Sequence, residues 1–247
     1  MLITTEGIVI RERFTGENDK FVDILTKNNG IIEISVKGAK KITSKNSSST
    51  QLYTYSKFCF STRGDRYYLN SSEPVKTFYN IRLDVVKFAL ASYFSELIKF
   101  AVVAEQQSEN VLRLFLNSMH YLSDSDRSVS LLKSIFELRL MAEIGLMPDL
   151  VACSQCAEYS SDNNYFFIDQ GNFLCENCYS GLTSNNVILI NKTVLHTLRY
   201  IIYSEFDKLF NFKIGDNIQK TVSIISEDYV TVQLNRNFKT LEFYKSL

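Results

Sequence analysis

The chain has 247 residues, 45% of them hydrophobic, and 27 Lys+Arg balance 27 Asp+Glu to a formal net charge of zero. That length allows one to three compact units, and that composition supports a sizeable core. Zero net charge speaks against a strongly basic nucleic-acid binder, the start MLITTEGIVI lacks the basic region and apolar run of a signal peptide, and no stretch approaches the roughly 18 apolar residues that span a bilayer. The expectation is a soluble, cytoplasmic protein with no membrane partner. The charge is nevertheless uneven. Residues 1–80 carry 12 Lys+Arg and 8 Asp+Glu, a net of +4, whereas residues 81–247 carry 15 and 19, a net of −4. This predicts a basic N-terminal module and an acidic remainder.

The two prolines, Pro74 and Pro148, fall where the pattern changes. Residues 1–75 read as β. Gly7 to Phe14 starts apolar and then alternates, and Phe21 to Thr26 follows a Gly16-Glu17-Asn18-Asp19 turn. Asn28-Asn29-Gly30 is a hairpin signal into Ile31–Val36. Tyr53 to Ser61 and Arg66 to Leu69 give two more strands around Arg63-Gly64-Asp65. Five short strands fit a small barrel, either an OB-fold or an SH3-like barrel. Residues 37–50 are polar, serine-rich and basic, and are expected to form a mobile surface loop. Cys59, between Phe58 and Phe60, is expected to be a buried small hydrophobe.

Residues 76–148 read as helices. Leu83, Val86, Leu90, Phe94, Leu97 and Ala101 recur at steps of three and four along one face. Ser108 is placed to cap a second helix running through Leu122. Leu131, Ile135, Leu138 and Ala142 mark a third, ending at Gly145 before Pro148. Residues 149–182 hold two Cys-x-x-Cys pairs around a strand, Tyr165 to Ile168, and a turn, Asp169 to Asn172. Residues 183–247 return to helix, over 191–212 with Val194, Leu198, Ile201 and Ile202 on one face. Tyr229 to Leu234 fits strand or helix equally. There is no internal repeat.

Cys153, Cys156, Cys175 and Cys178 carry the strongest chemical signal. Eighteen residues separate the two pairs. A two-residue gap lets both thiolates of a pair reach one ion from a tight turn, and two such knuckles at this separation complete a tetrahedral Cys₄ zinc site. Four cysteine ligands leave no open coordination position, so the one Zn²⁺ reads as structural. The alternatives are two disulfides, disfavoured in a reducing compartment, or a redox dithiol, which belongs at a helix start in a βαβ unit.

Catalytic signals are absent. His120 and His196 each sit in an apolar helical stretch and read as ordinary helix residues. No P-loop, Gly-x-Gly-x-x-Gly, Gly-x-Ser-x-Gly or His-Glu-x-x-His occurs, so the chain is not read as an enzyme. The basic residues are more suggestive. Arg11 and Arg13 project from one strand face, and Lys37, Lys40, Lys41 and Lys45 crowd one loop. Such spacing can follow a phosphate backbone, with Tyr53, Tyr55, Tyr67 and Tyr68 either stacking bases or filling the barrel.

Several runs, in order, resemble the RecO family of bacterial DNA repair proteins. They are Glu6-Gly7-Ile8-Val9 with Gly16 to Asp19, Val36-Lys37-Gly38-Ala39-Lys40-Lys41, and Ala91 to Leu97. Then come Phe136-Glu137-Leu138-Arg139-Leu140, Gly145 to Leu150 leading to Cys153 and Cys156, and Gly171 to Leu174 leading to Cys175 and Cys178. The resemblance covers most of the chain. It departs at Gly171-Asn172, where the family commonly has two glycines, and over the last 30 residues. It implies an α+β multidomain protein: an N-terminal five-stranded OB-fold barrel, then a helical domain with a Cys₄ zinc-ribbon-like insertion. It further implies a mediator of the RecF pathway at the nucleoid. Such a mediator binds single-stranded and double-stranded DNA, anneals complementary strands and helps load RecA onto DNA coated by single-strand-binding protein. The implied partners are RecR and the acidic C-terminal tail of that coating protein, and no catalytic residues are implied. The alternative class is a zinc-ribbon interaction scaffold with no direct DNA role.

Overall fold

The computed structural model describes residues 2–39, 45–64, 66–102, 107–181 and 186–247. The chain divides into two compact units, Met1–Ser125 together with Phe238–Leu247, and Asp126–Asn237. The predicted helices are shared between them.

The first unit opens with five strands: β1 (Leu2–Thr15), β2 (Asp19–Thr26), β3 (Ile31–Val36), β4 (Thr54–Arg63) and β5 (Arg66–Thr77). They close into a barrel in the order β1-β2-β3-β5-β4, antiparallel except for a short parallel β3–β5 pairing. Alternation decides what fills it. Val9, Val22, Ile24, Ile32, Ile34, Val36, Phe58 and Phe60 point inward and form one core. Gly7 lies where strands crowd, because a Cβ there would meet Ile24 Cγ2 and the Leu25 carbonyl oxygen, each at 2.6 Å. The β1–β2 register shifts between Val9 and Arg11, so Ile8, Val9 and Ile10 are all buried before Arg11 and Arg13 turn outward.

Several expectations are corrected here. β5 runs through Pro74 to Thr77. Pro74 pairs with Ser56 beside a register shift, where β5 has β4 as its sole ladder partner, and a missing N–H is tolerated at such an edge. Cys59 is half-buried on the outer face, since its neighbours Phe58 and Phe60 take the inward positions. The described part of the 37–50 loop is anchored. Ser49 and Thr50 are buried, their hydroxyls donate to the Asn46 carbonyl at 3.2 and 2.6 Å, and Lys20 Nζ donates to the Thr50 carbonyl at 2.7 Å.

A 3₁₀ turn, Tyr79–Leu83, carries the exposed Leu83, which therefore lies outside the helical face predicted for it. Helix α1 (Val85–Ala101) begins at Asp84, whose carboxylate accepts from the Val86 and Lys87 amides at 2.9 and 3.1 Å. Helix α2 (Glu109–Asp124) follows. Ser108 stands at its N-cap position, but its hydroxyl donates instead to the Thr26 carbonyl at 2.7 Å, tying the helix start to β2.

The second unit holds α3 (Val129–Glu143), a three-stranded antiparallel sheet, α4 (Lys192–Tyr203) and α5 (Asp216–Leu234). The sheet order is β7 (Asn172–Cys175), β6 (Asn163–Phe167), β8 (Val187–Asn191). β8 lies beyond the 149–182 segment assigned to the cysteine module. The stretch 191–212 is helical only to Tyr203. There Arg139 donates to the Ile202 and Ser204 carbonyls, at 2.6 and 3.0 Å, and satisfies the helix end. Tyr229 to Leu234 is helix, with Val222, Ile225, Tyr229 and Val230 buried at helical spacing. Inside the unit, Lys133 and Glu137 are fully buried and paired at 3.0 Å, Lys133 also reaches Glu227 at 3.0 Å, and the Ser226 hydroxyl donates to Glu137 at 2.6 Å. The last helix, α6 (Lys239–Lys245), belongs to the first unit, where it packs on α1.

Candidate functional site

Two short turns build the cysteine centre. In the first, the Ala157 amide donates to the Cys153 carbonyl at 2.9 Å, and Ala157 takes φ +59° to close the knuckle. In the second, the Cys178 amide donates to the Cys175 carbonyl at 3.1 Å. The β6–β7 hairpin carries the second knuckle to the first, where the Ser154 amide donates to the Phe173 carbonyl at 3.0 Å. The hairpin turn needs a single left-handed residue. Gly171 supplies it at φ +66°, and Asn172 is already the first residue of β7. The family's second glycine is therefore dispensable in this turn.

The four sulfur atoms lie within 4.8 Å of one another, and Cys156 and Cys175 are 3.6 Å apart. A tetrahedral ion with metal–sulfur bonds near 2.3 Å would separate its sulfurs by about 3.8 Å, so the geometry fits one ion held by Cys153, Cys156, Cys175 and Cys178. All four are free cysteines. Burial opposes ionisation of Cys153, but backbone amides of Cys156, Cys175 and Gln155 donate to it and bring its thiol down to about 6. Cys178 is held up to about 12, first by the neighbouring Cys156 thiol and then by burial. Protons leave such a group one at a time unless a cation compensates the charge. The four cysteines can bind a metal ion.

Arg199 holds this centre from behind, and the sequence reading missed it. It is almost fully buried on α4 and donates to the carbonyls of Leu150, Val151 and Tyr159 at 2.6, 3.0 and 2.6 Å. Its guanidinium also stacks on the Tyr159 ring, 4.1 Å from the centroid. Three carbonyls from both sides of the first knuckle thus converge on one planar fork. The available signal was spacing, since Arg199 follows Leu195 and Leu198 on the buried face of α4, where a charge demands partners.

The barrel carries the predicted basic residues. Arg11 and Arg13 do share the outer face of β1, and both approach Asp23, at 3.9 and 3.7 Å. Arg13 also pairs with Glu33, and Lys99 from α1 pairs with Asp23. Lys37 and Lys45 are exposed, whereas Lys40 and Lys41 lie outside the described residues. Tyr53 is buried, with its hydroxyl 3.2 Å from that of Ser92 and its ring edge-on to Phe88. Tyr67 packs edge-on against Phe60 at 5.2 Å. Tyr55 and Tyr68 stay on the outside, Tyr68 under Arg63 at 5.6 Å. Neither histidine joins a metal cluster among the described residues. His120 pairs with Asp124 at 3.0 Å, and His196 lies exposed on α4.

A five-stranded OB-type barrel, followed by helices and a four-cysteine hairpin, defines a multidomain α+β protein of the OB-fold class. Its sequence places it further. The family model described as "Recombination protein O N terminal" matches residues 1–78, and "Recombination protein O C terminal" matches residues 82–242. The chain belongs to the RecO family. It is 32% identical over 245 residues to a DNA repair protein RecO from Acetivibrio thermocellus, covering 99% of this chain and 97% of the relative. It is 30% identical over 248 residues to that of Alkaliphilus metalliredigens, covering all of both, and 28% identical over 246 residues to that of Caldanaerobacter subterraneus, covering 99% and 98%. No helix among the described residues is long and apolar enough to cross a membrane.

Proposed function

We propose that this chain works in DNA repair and recombination as a non-catalytic mediator. It binds single-stranded DNA, anneals complementary strands, and helps load RecA onto DNA coated by single-strand-binding protein. The observation that carries the reading is family membership along the whole length, across both the barrel and the cysteine-bearing unit. The physics is compatible with it. Annealing needs no covalent step: neutralising two phosphate backbones lowers their repulsion, and base pairing supplies the rest. Arg11, Arg13, Lys37, Lys40, Lys41 and Lys45 are the proposed phosphate contacts on the OB-fold barrel. Zn²⁺ is the proposed ion of Cys153, Cys156, Cys175 and Cys178, because an all-thiolate tetrahedral set favours it. The proposed protein partners are RecR and the acidic tail of the coating protein, and the proposed place of action is the cytoplasmic nucleoid.

A second reading keeps the zinc and discards the direct DNA role, leaving an interaction scaffold. It is favoured by one observation: Arg11 and Arg13 already face carboxylates, Asp23 and Glu33. The experiment that separates the two is annealing of complementary oligonucleotides coated with the cognate single-strand-binding protein, across a salt series. The mediator accelerates annealing, and the effect disappears at high salt and when the coating protein's tail is removed. A chain that binds the coating protein without accelerating annealing is the scaffold.

A further inference from the structure

Asp23 stands out among the charged groups of the barrel. Its carboxylate is only 4% exposed, although it sits on the outward face of β2, because three cations cover it. Arg11 and Arg13 come from β1, whereas Lys99 comes from the last turn of α1. The sequence separates Lys99 from Asp23 by most of the unit, and nothing in the sequence reading joined them. The cations themselves are not buried, with side-chain exposures of 49, 42 and 41%.

We propose that Arg11, Arg13 and Lys99 form one phosphate-binding cradle, with Asp23 as its positioning residue. The inference rests on the DNA-binding reading above and extends it to a residue outside the barrel. The charge count supports it, since three cations share two carboxylates, Asp23 and Glu33. Two guanidiniums offer five N–H donors each and an ammonium three, whereas the two carboxylates offer about eight acceptor positions between them. Donors are therefore left over for solvent, on a surface where one anchor fixes their roots together. A phosphodiester oxyanion accepts two or three charge-assisted hydrogen bonds and matches the guanidinium fork. Holding the cations in advance spares rotamer entropy on binding. The same cluster explains why a nearly buried aspartate is retained facing outward: without it, the three cations would repel one another.

The test is single-stranded DNA binding by the full chain, read as anisotropy of a labelled oligothymidine across a salt series. Each phosphate contact contributes about 0.7 to the slope of log affinity against log salt for single strands. Arg11→Gln, Arg13→Gln and Lys99→Gln are each expected to lower the slope by about that amount, and Lys99→Arg to retain it. Lys99→Gln leaves Asp23 short of a partner, so Asp23→Asn/Lys99→Gln is measured beside it, and the cradle requires the same loss there. A wild-type slope in both Lys99→Gln and the double variant overturns the proposal. If the arginine variants still lose slope in that case, the DNA-binding reading stands without the cradle. If the unaltered chain binds no oligothymidine at low salt, both readings fall together.

Discussion

Single residues in this chain act through the carbonyls and carboxylates they gather, and Arg199 is the clearest case. It satisfies three backbone carbonyls of the segment that carries Cys153 and Cys156. Hydrogen bonds from a charged donor contribute about 1.5–3 kcal/mol each and are not additive. Removing the donor leaves buried carbonyls unpaired, so Arg199→Ala is expected to cost roughly 2–5 kcal/mol. Because the lost bonds fix the first knuckle, metal affinity is expected to fall as well. Competition with a chromophoric chelator checks this: an Arg199→Ala protein that is destabilised yet holds its metal as tightly as the parent would place Arg199 in the core alone. Lys at this position is expected to recover only part of the loss, since one ammonium cannot span the three acceptors of a planar fork.

At the scale of elements, the cysteine hairpin is expected to gain more from a bound ion than its neighbours do. β7 has four residues and is an edge strand of its three-stranded sheet, paired with β6 alone, so few backbone hydrogen bonds hold the second knuckle in place. Metal binding therefore contributes folding free energy directly. Stripping the metal with a strong chelator is expected to remove hydrogen-exchange protection from 150–178 while the barrel amides keep theirs. Unchanged protection of the hairpin would show that apolar packing of Phe166 and Phe173 suffices. The elements were unevenly legible in the sequence. The strands of the barrel and α1 to α3 followed from alternation and three-four spacing, even though α3 is buried on nearly every side and β1 and β2 bury consecutive residues. β8 escaped because Val187–Asn191 is short and runs directly into α4, with Asn191 serving as the cap that accepts from Val194 at 2.9 Å. The strand-or-helix ambiguity of Tyr229 to Leu234 arose from β-branched and aromatic residues, and tertiary burial of Tyr229 and Val230 against α3 overrides their propensity. The gathering of the four cysteines was legible because their spacing is a covalent fact. Its buttress Arg199 and the Asp23–Lys99 pair were not, since long-range partners leave no local pattern.

For the molecule as a whole, zero net charge conceals a division. The first unit carries 18 Lys+Arg against 14 Asp+Glu, and the second carries 9 against 13. The neutral total therefore understates the attraction of one unit for a polyanion, while the other repels it. The chain path reinforces this partition, because the segment Phe238–Leu247 returns to the first unit after the second is complete. There Phe238 is buried, edge-on to Tyr93 at 5.8 Å and to Phe100 at 5.9 Å. If the charge division governs nucleic-acid contact, single-stranded DNA added to the full chain at low salt protects amides of the first unit, in β1, β2 and the end of α1. It leaves residues 126–237 unchanged. Hydrogen exchange read by mass spectrometry resolves the two. Protection centred on the second unit would mean that local aromatic or cationic groups there outweigh an unfavourable field of four charges. The barrel would then be a partner-binding module, with the DNA contact displaced to the cysteine-bearing unit.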